Sequence, residues 1–348
     1  MYMKNFARLE KLQPGDKVAI LSPSFAAPGM FPHVYELGLS RLREVFKLEP
    51  IEYPTTRKLG ASGEERAADL VAAFSDPTIK AVIASIGGND QVTYIKNLPN
   101  GPFVSNPKPF FGYSDNTNFA NFLWLNGIPS YYGGSLFTQY AMQHHMDEYT
   151  VEYIHHALFD DGEFEILASE EFNEQGLDWN DPTTLNTRRM YTPNEGHIWS
   201  NTASAEGTTW GGCVESIDEL LRHGITIPSL EEFGNVILML ETSEEMPSAE
   251  MVRRVFRALG ERGILAKVQG VLMGRPKAWE FNNQLTEMER ENFRSSQQAV
   301  ITETVRKYNA IIPIVFNLNF GHTDPQVPMP YGRKVKIDGV NRKITAEF

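Results

Sequence analysis

Along the first 125 residues, short apolar runs alternate with stretches of helical period. Lys17–Ser22 (KVAILS) is apolar and closes on Pro23, which predicts a buried first strand. Leu37, Leu39, Leu42 and Phe46 give Tyr35–Phe46 the spacing of a helix, and Ile51–Tyr53 reads as a second short strand. Gly63–Phe74 is predicted helical, with Ala67, Leu70, Val71 and Phe74 on its inner face and charge outside. Lys80–Ile86 (KAVIASI) is the clearest strand and runs straight into Gly87-Gly88-Asn89-Asp90. Pro109–Tyr113 is another, followed by a helix from about Asn116 to Leu125. Strands that alternate with helices and end in glycine-containing loops predict an open parallel sheet, with ligands bound beyond the strand C-termini.

The pattern changes after about residue 160. Glu163–Trp199 is polar, rich in Asn, Thr and Asp, with Trp179, Tyr191 and Trp199 spaced through it. A loop of this length is uncommon in a compact domain unless it has a task. Periodicity then resumes with a helix at Cys213–Arg222, a strand at Asn235–Glu241, a charged helix at Ala249–Arg262 and a strand at Gly270–Gly274. A helix at Leu285–Tyr308, an apolar strand at Ile311–Asn317 and polar strands within 333–348 complete a second α/β unit. The expected division is an N-terminal domain over 1–165, a linker and recognition loop over 166–205, and a smaller C-terminal domain over 206–348.

Composition narrows the classes. With 41% hydrophobic and 22% charged residues, the 348-residue chain is an ordinary globular sequence. Its single cysteine, Cys213, excludes an internal disulfide and a multi-thiolate metal site, and suits a reducing compartment. No stretch is apolar for the roughly 18 residues a membrane span needs. The charged N-terminal segment lacks the apolar core of a secretion signal, so the expected location is cytoplasmic. A net charge of −12 with no basic stripe argues against nucleic acid as a partner.

Candidate chemistry lies at the strand ends. Ser114, in Gly112-Tyr113-Ser114-Asp115, sits between a strand and a helix, where its hydroxyl would project beyond the sheet and the N–H of Asp115 could stabilise an oxyanion. The pattern departs from G-x-S-x-G at Asn116, and a Ser-Asp pair opening a helix is more often an N-cap. A nucleophilic serine needs a base. Of eight histidines, His144, His145, His155 and His156 read as surface pairs, and His33, His197 and His223 lie in polar contexts or near helix ends. His322 follows a long buried strand and a glycine, a rigid mount, although a lone loop histidine is commonly structural. Glu241 ends the apolar run Val236–Leu240 and could orient the base. Its neighbours Glu244 and Glu245 leave open that it merely starts a solvated acidic stretch. Three strand-end residues of these kinds are more specific together than any one alone.

At this point the sequence resembles the LD-carboxypeptidase superfamily of serine peptidases. Gly15–Ile20 with Pro23-Ser24, Ile86–Asp90, Gly112–Asp115, Leu240-Glu241 and Gly321-His322 follow the family's order and approximate spacing over residues 12–335. The resemblance implies a Ser114–His322–Glu241 triad and an oxyanion hole from the N–H groups of Asp115 and Gly88, with Gly87 lining the substrate site. It also implies a Rossmann-like or flavodoxin-like α/β N-terminal domain carrying the serine, a C-terminal α/β domain carrying acid and base, a cleft between them, and a homodimer. No cofactor or metal is expected.

Two features resemble the microcin C self-immunity peptidases, which hydrolyse the amide joining a terminal aspartate to a modified nucleotide. They are the insertion Gly176–Trp199, opening with Leu177-Asp178-Trp179-Asn180, and Trp210-Gly211-Gly212-Cys213. Trp179 is the first candidate for stacking on a nucleobase and Trp210 the second, set against the commoner fate of tryptophan as a packing residue. Arg188 and Arg189 could pair with a substrate phosphate, or form a solvated basic pair. The expected partner is a small peptide or aminoacyl-nucleotide. The alternatives are a muramoyl-tetrapeptide carboxypeptidase of cell-wall recycling and a non-catalytic nucleotide-binding module. The second rests on the Gly87-Gly88 turn alone, without G-x-G-x-x-G or G-K-[ST]. A metallohydrolase is weaker, since H-E-x-x-H is absent.

Overall fold

The computed structural model describes residues 4–348. The first three residues of the charged N-terminal segment lie outside that range.

The apolar runs form strands for the reason their patterning suggests. In Lys17–Leu21, Val18 and Ile20 face one core and Ala19 and Leu21 another, so both faces of the strand are buried. Ile79–Ala84 alternates likewise, with Ala81 and Ile83 opposed to Val82 and Ala84. The intervening helices begin at real caps. Ser62 accepts from the N–H of Glu65 while the Glu65 carboxylate accepts from the N–H of Ser62, starting Gly63–Ser75. Thr286 and Glu289 repeat that arrangement at the start of Glu287–Tyr308.

The first sheet has six strands in the order 329–331, 130–132, 110–112, 79–84, 17–21, 49–52. The last five in that order run parallel, which is the flavodoxin-like arrangement. The second sheet has eight strands, with a parallel centre of Ala205–Cys213, Val236–Glu241, Gly270–Gly274 and Ile314–Leu318. Antiparallel strands flank that centre on both sides. The second sheet has more strands than the first because it recruits Glu163–Glu165 and Ile198-Trp199 from outside 206–348.

The chain crosses between the units more than a simple boundary allows. Glu163–Glu165, assigned to the N-terminal domain, pairs with Lys343–Glu347 of the second sheet. Met329–Tyr331 returns to the first sheet, antiparallel to Ser130–Tyr132. One apolar core runs through both units, joining Ile20, Trp124 and Tyr132 to Trp210, Leu240 and Phe320. The polar 166–205 segment is also less loop-like than its composition indicates. Glu171-Phe172 pairs with Thr192-Pro193, and Ile198-Trp199 becomes an edge strand against Val315-Phe316.

That core corrects one expectation. Trp210 is fully buried in the strand Ala205–Cys213, donates from Nε1 to Oδ1 of Asn121 at 2.9 Å, and meets Phe233 edge-on. It is a packing residue that no ligand in a cleft can reach. Trp210→Phe should therefore lower stability by about 1–3 kcal/mol in urea denaturation, because Asn121 loses a buried partner. Unchanged stability together with weakened substrate binding would restore a ligand role for Trp210.

Candidate active site

Ser114 follows the strand Phe110–Gly112 and opens a 3₁₀ turn that leads into the helix Thr117–Leu125. Its φ is +63°, in the left-handed region that a β-substituted residue rarely occupies. Such an outlier persists only where surrounding contacts hold it, and it is the backbone shape of a nucleophile elbow. Here the contacts are visible. The N–H of Ser114 donates to the Tyr132 phenol at 3.1 Å, and the Thr117 hydroxyl donates to the Ser114 carbonyl at 2.6 Å.

The Gly87-Gly88 turn lies directly against this elbow. A Cβ on Gly87 would stand 2.8 Å from the Ser114 Cβ and 3.4 Å from the Asp115 nitrogen, and one on Gly88 would stand 2.0 Å from the Ser24 hydroxyl. Only glycines permit so close an approach. The buried Asp115 carboxylate locks the three loops together, accepting from the Ser24 hydroxyl at 2.6 Å and from the N–H groups of Asp90 and Gln91 at 3.0 Å each. Burial pushes its carboxyl above the ordinary value, against the pull of those hydrogen bonds. Outside it, Arg66 holds Asp90 through two bonds of 2.7 Å.

Glu241 and His322 arrive from the second sheet. Glu241 ends the strand Val236–Glu241 and has no exposed side chain, while His322 stands beyond Ile314–Leu318. Nδ1 of His322 lies 2.7 Å from Oε2 of Glu241. Glycine again makes the space, since a Cβ at Gly321 would stand 2.5 Å from that oxygen. The other oxygen of Glu241 accepts from the Tyr132 hydroxyl at 2.6 Å. Tyr132 is thus bonded at once to the Ser114 backbone and to the Glu241 carboxylate.

The far side of the imidazole departs from expectation. Among the described residues no hydrogen bond joins His322 to the Ser114 hydroxyl; Nε2 instead lies 3.0 Å from Oε2 of Glu244. Burial alone would lower the His322 pKa, but the two carboxylates outweigh it and hold it well above its ordinary value. Burial likewise would raise Glu244, yet the imidazolium outweighs it and brings that carboxyl down to about 2. The Glu244 side chain is 49% exposed and His322 only 8%, so the carboxylate is the partner free to move.

Ser114 and His322 lie at the floor of a cleft of about 720 Å³. One wall is aromatic: Trp179 stands edge-on to Phe31 at 5.6 Å and to Phe137 at 5.4 Å, and its carbonyl lies 2.8 Å from Nε2 of His33. Gly87, Gly88 and Trp179 all line the cleft, as the sequence reading placed them, whereas Trp199 and Trp210 do not. Arg189 reaches the cleft but is bound to Asp324 at 2.6 Å and Asp147 at 3.1 Å, and Arg188 is exposed. His155 and His156 share Asp160 outside it. A second cavity of about 640 Å³, between residues 6–8 and 332–334, is lined by no serine, cysteine or histidine. Sequence reasoning missed Tyr132, whose signal was a short aromatic run ending in Gly133-Gly134, and Glu244, which was indistinguishable from a solvated acid.

Comparison with known proteins agrees with this architecture. Residues 18–133 match the model of the LD-carboxypeptidase N-terminal domain and residues 206–337 that of the C-terminal domain. YocD of Bacillus subtilis, assigned as a carboxypeptidase, is 28% identical over 95% of this chain and 96% of its own. The microcin C7 self-immunity protein MccF of Escherichia coli is 23% identical over 96% of this chain and 94% of its own. An MccF-like protein from Streptococcus pneumoniae, solved in complex with AMP, superposes with a TM-score of 0.84 at 29% identity, covering 96% of this chain and 99% of that one. MccF in complex with aspartyl sulfamoyl adenosine has the same fold, with a TM-score of 0.84 at 21% identity over 98% of both chains. With both domain models matched in order over more than half of its length, this chain belongs to the LD-carboxypeptidase family of serine peptidases.

Proposed function

We propose that the protein hydrolyses the amide joining an aminoacyl group, aspartyl or glutamyl, to a modified nucleotide, through an acyl-enzyme on Ser114. The observation that carries this reading is the placing of an aromatic wall, Trp179 between Phe31 and Phe137, on the cleft whose floor holds Ser114 and His322. Base–aromatic stacking is worth about 1–3 kcal/mol per base and tolerates imperfect registration. It is a natural use for a half-buried tryptophan edge that the core leaves unfilled. The AMP complex of the pneumococcal relative and the aminoacyl sulfamoyl nucleoside complexes of MccF support the same choice of ligand.

In this reading Ser114 Oγ attacks the scissile carbonyl and His322 Nε2 takes its proton. Glu241, bonded to Nδ1, fixes the tautomer and stabilises the imidazolium that forms. The N–H groups of Asp115 and Gly88 receive the developing oxyanion, preorganised because the Asp115 carboxylate ties their loops together. His322 then returns its proton to the leaving nitrogen, and water, activated by the same imidazole, releases the amino acid. Cell-wall tetrapeptides are the second reading, favoured by the carboxypeptidase assignment of YocD. A non-catalytic module is disfavoured because it has no use for a strained serine facing a Glu–His pair.

The deciding assay sets aspartyl sulfamoyl adenosine against a tetrapeptide ending in D-alanine; exclusive cleavage of the peptide would overturn the nucleotide reading. Ser114→Ala should lose hydrolysis by on the order of a millionfold with its melting temperature retained. Turnover like that of the wild type would remove Ser114 from the chemistry. Trp179→Ala should cut kcat/KM on the nucleotide substrate by roughly ten- to a hundredfold, while a small amide lacking a base is nearly unaffected. Equal losses on both would make Trp179 a packing residue.

A further inference from the structure

In the reading above Nε2 of His322 serves Ser114, and in the structure that nitrogen lies 3.0 Å from Oε2 of Glu244. Several other charges of the cleft are paired, although among the described residues Asp178 and Glu245 have no cationic contact within salt-bridge distance. Arg189 is held by Asp324 and Asp147, Lys277 by Glu280 at 3.2 Å, and Glu174 by Arg290 and Arg294. Among the described residues Glu244 has His322 as its one cationic contact within salt-bridge distance, and Glu245 lines the cleft next to it. A positively charged group entering beside the base would therefore find a carboxylate ready to exchange one cation for another.

The reaction geometry says which group that is. The α-nitrogen of an aminoacyl group is two bonds from the scissile carbonyl carbon, about 2.5 Å away. That carbon must come within about 3–3.5 Å of the Ser114 hydroxyl oxygen, and His322 Nε2 within about 2.6–3.2 Å of the same oxygen. Joined end to end with the 3.0 Å from Nε2 to Glu244, these links keep a free α-ammonium within about 12 Å of the Glu244 carboxylate, on the side of the cleft where that carboxylate stands. A mid-chain acyl residue, whose α-nitrogen is an amide, brings no charge there.

We propose that Glu244 is a specificity-determining residue that binds the free α-ammonium of the aminoacyl group and, on doing so, releases Nε2 of His322 to Ser114. The inference rests on the aminoacyl hydrolase reading above and narrows its substrate class to acyl groups with an unblocked amine. Between the two carboxylates the His322 pKa is held well above its ordinary value, so drawing Glu244 away also frees the base of one of the charges that favour its protonated form. The groups facing His322 are Glu241, Glu244 and the Tyr113 ring at 4.9 Å, with Tyr132 behind Glu241 and Asp324 and Lys277 nearby. Of these, Glu244 is the one a ligand can draw away without dismantling the site.

The test compares wild type with Glu244→Gln on two substrate pairs. One pair is aspartyl sulfamoyl adenosine and its desamino counterpart, the succinyl compound. The other is alanine p-nitroanilide and propionyl p-nitroanilide, which carry no nucleotide. Wild type should prefer the amine in each pair it cleaves by roughly 10- to 100-fold in kcat/KM, the range of a charge-assisted hydrogen bond. In Glu244→Gln that preference should collapse to within about threefold of unity. Removing a negative charge beside an imidazolium lowers its pKa, so the neutral base persists to lower pH. The acid limb of kcat/KM should therefore move to lower pH in the variant. A variant that keeps the wild-type preference, or a wild type that shows none, overturns the proposal. Cleavage of the nitroanilides without either nucleoside would sink the nucleotide reading alone and leave Glu244 to be judged on the nitroanilide ratio. A wild type that cleaves none of the four overturns both.

Discussion

The site depends on one phenol. Tyr132 ends a strand of the first sheet, is fully buried, and accepts from the Ser114 N–H while donating to Glu241. Burial and the adjacent carboxylate keep the phenol protonated, so its direction of donation is settled. Ser114 and Glu241 belong to different sheets, and in the proposed mechanism a relative shift of one ångström would separate the groups that must meet. A buried hydrogen bond to a carboxylate is costly to leave unmade, which makes this contact a register pin between the two halves. The continuous core around it, from Ile20 through Tyr132 to Leu240, supplies the cohesion; Tyr132 supplies the alignment.

Charge at the seam is arranged on the same logic. Carboxylates dominate the region, and each buried one is given work by hydrogen bonds: Asp115 gathers three loops, and Glu241 holds both Tyr132 and His322. Glu244 differs because it is half exposed and has His322 as its one cationic contact within salt-bridge distance among the described residues.

Much of the first sheet was legible because its residues obey local rules. Apolar runs of about six residues bounded by Gly and Pro are too short for most helices and fit buried strands, and longer runs with apolar residues at helical spacing fit the helices between them. Ser114, Glu241 and His322 stood out for a related reason, since each polar group ends an apolar strand or follows one within a few residues. Trp179 was readable as a candidate from its polar surroundings, but Trp210 misled. Its Gly-Gly context suggests a turn, whereas both glycines lie inside a nine-residue strand, where they admit the backbone of Met239 and the side chain of Thr117. The polar 166–205 segment was misjudged as wholly irregular because strands of two residues leave no periodicity to detect.

By itself the sequence determined the elements, their parallel α/β order and the chemical types standing at the strand ends, because periodicity, caps and turn residues act over a few positions. Only the tertiary structure decided which of those groups meet. Glu241 and His322 are 81 residues apart, and Tyr132 and Glu241 are 109 apart. Nothing local distinguishes Glu244 from the exposed glutamates around it, and nothing local returns residues 329–331 to the first sheet. Those contacts are selected by the burial of shared apolar surface between the sheets. That selection depends on the whole chain at once, and the electrostatics of the cleft follow from it.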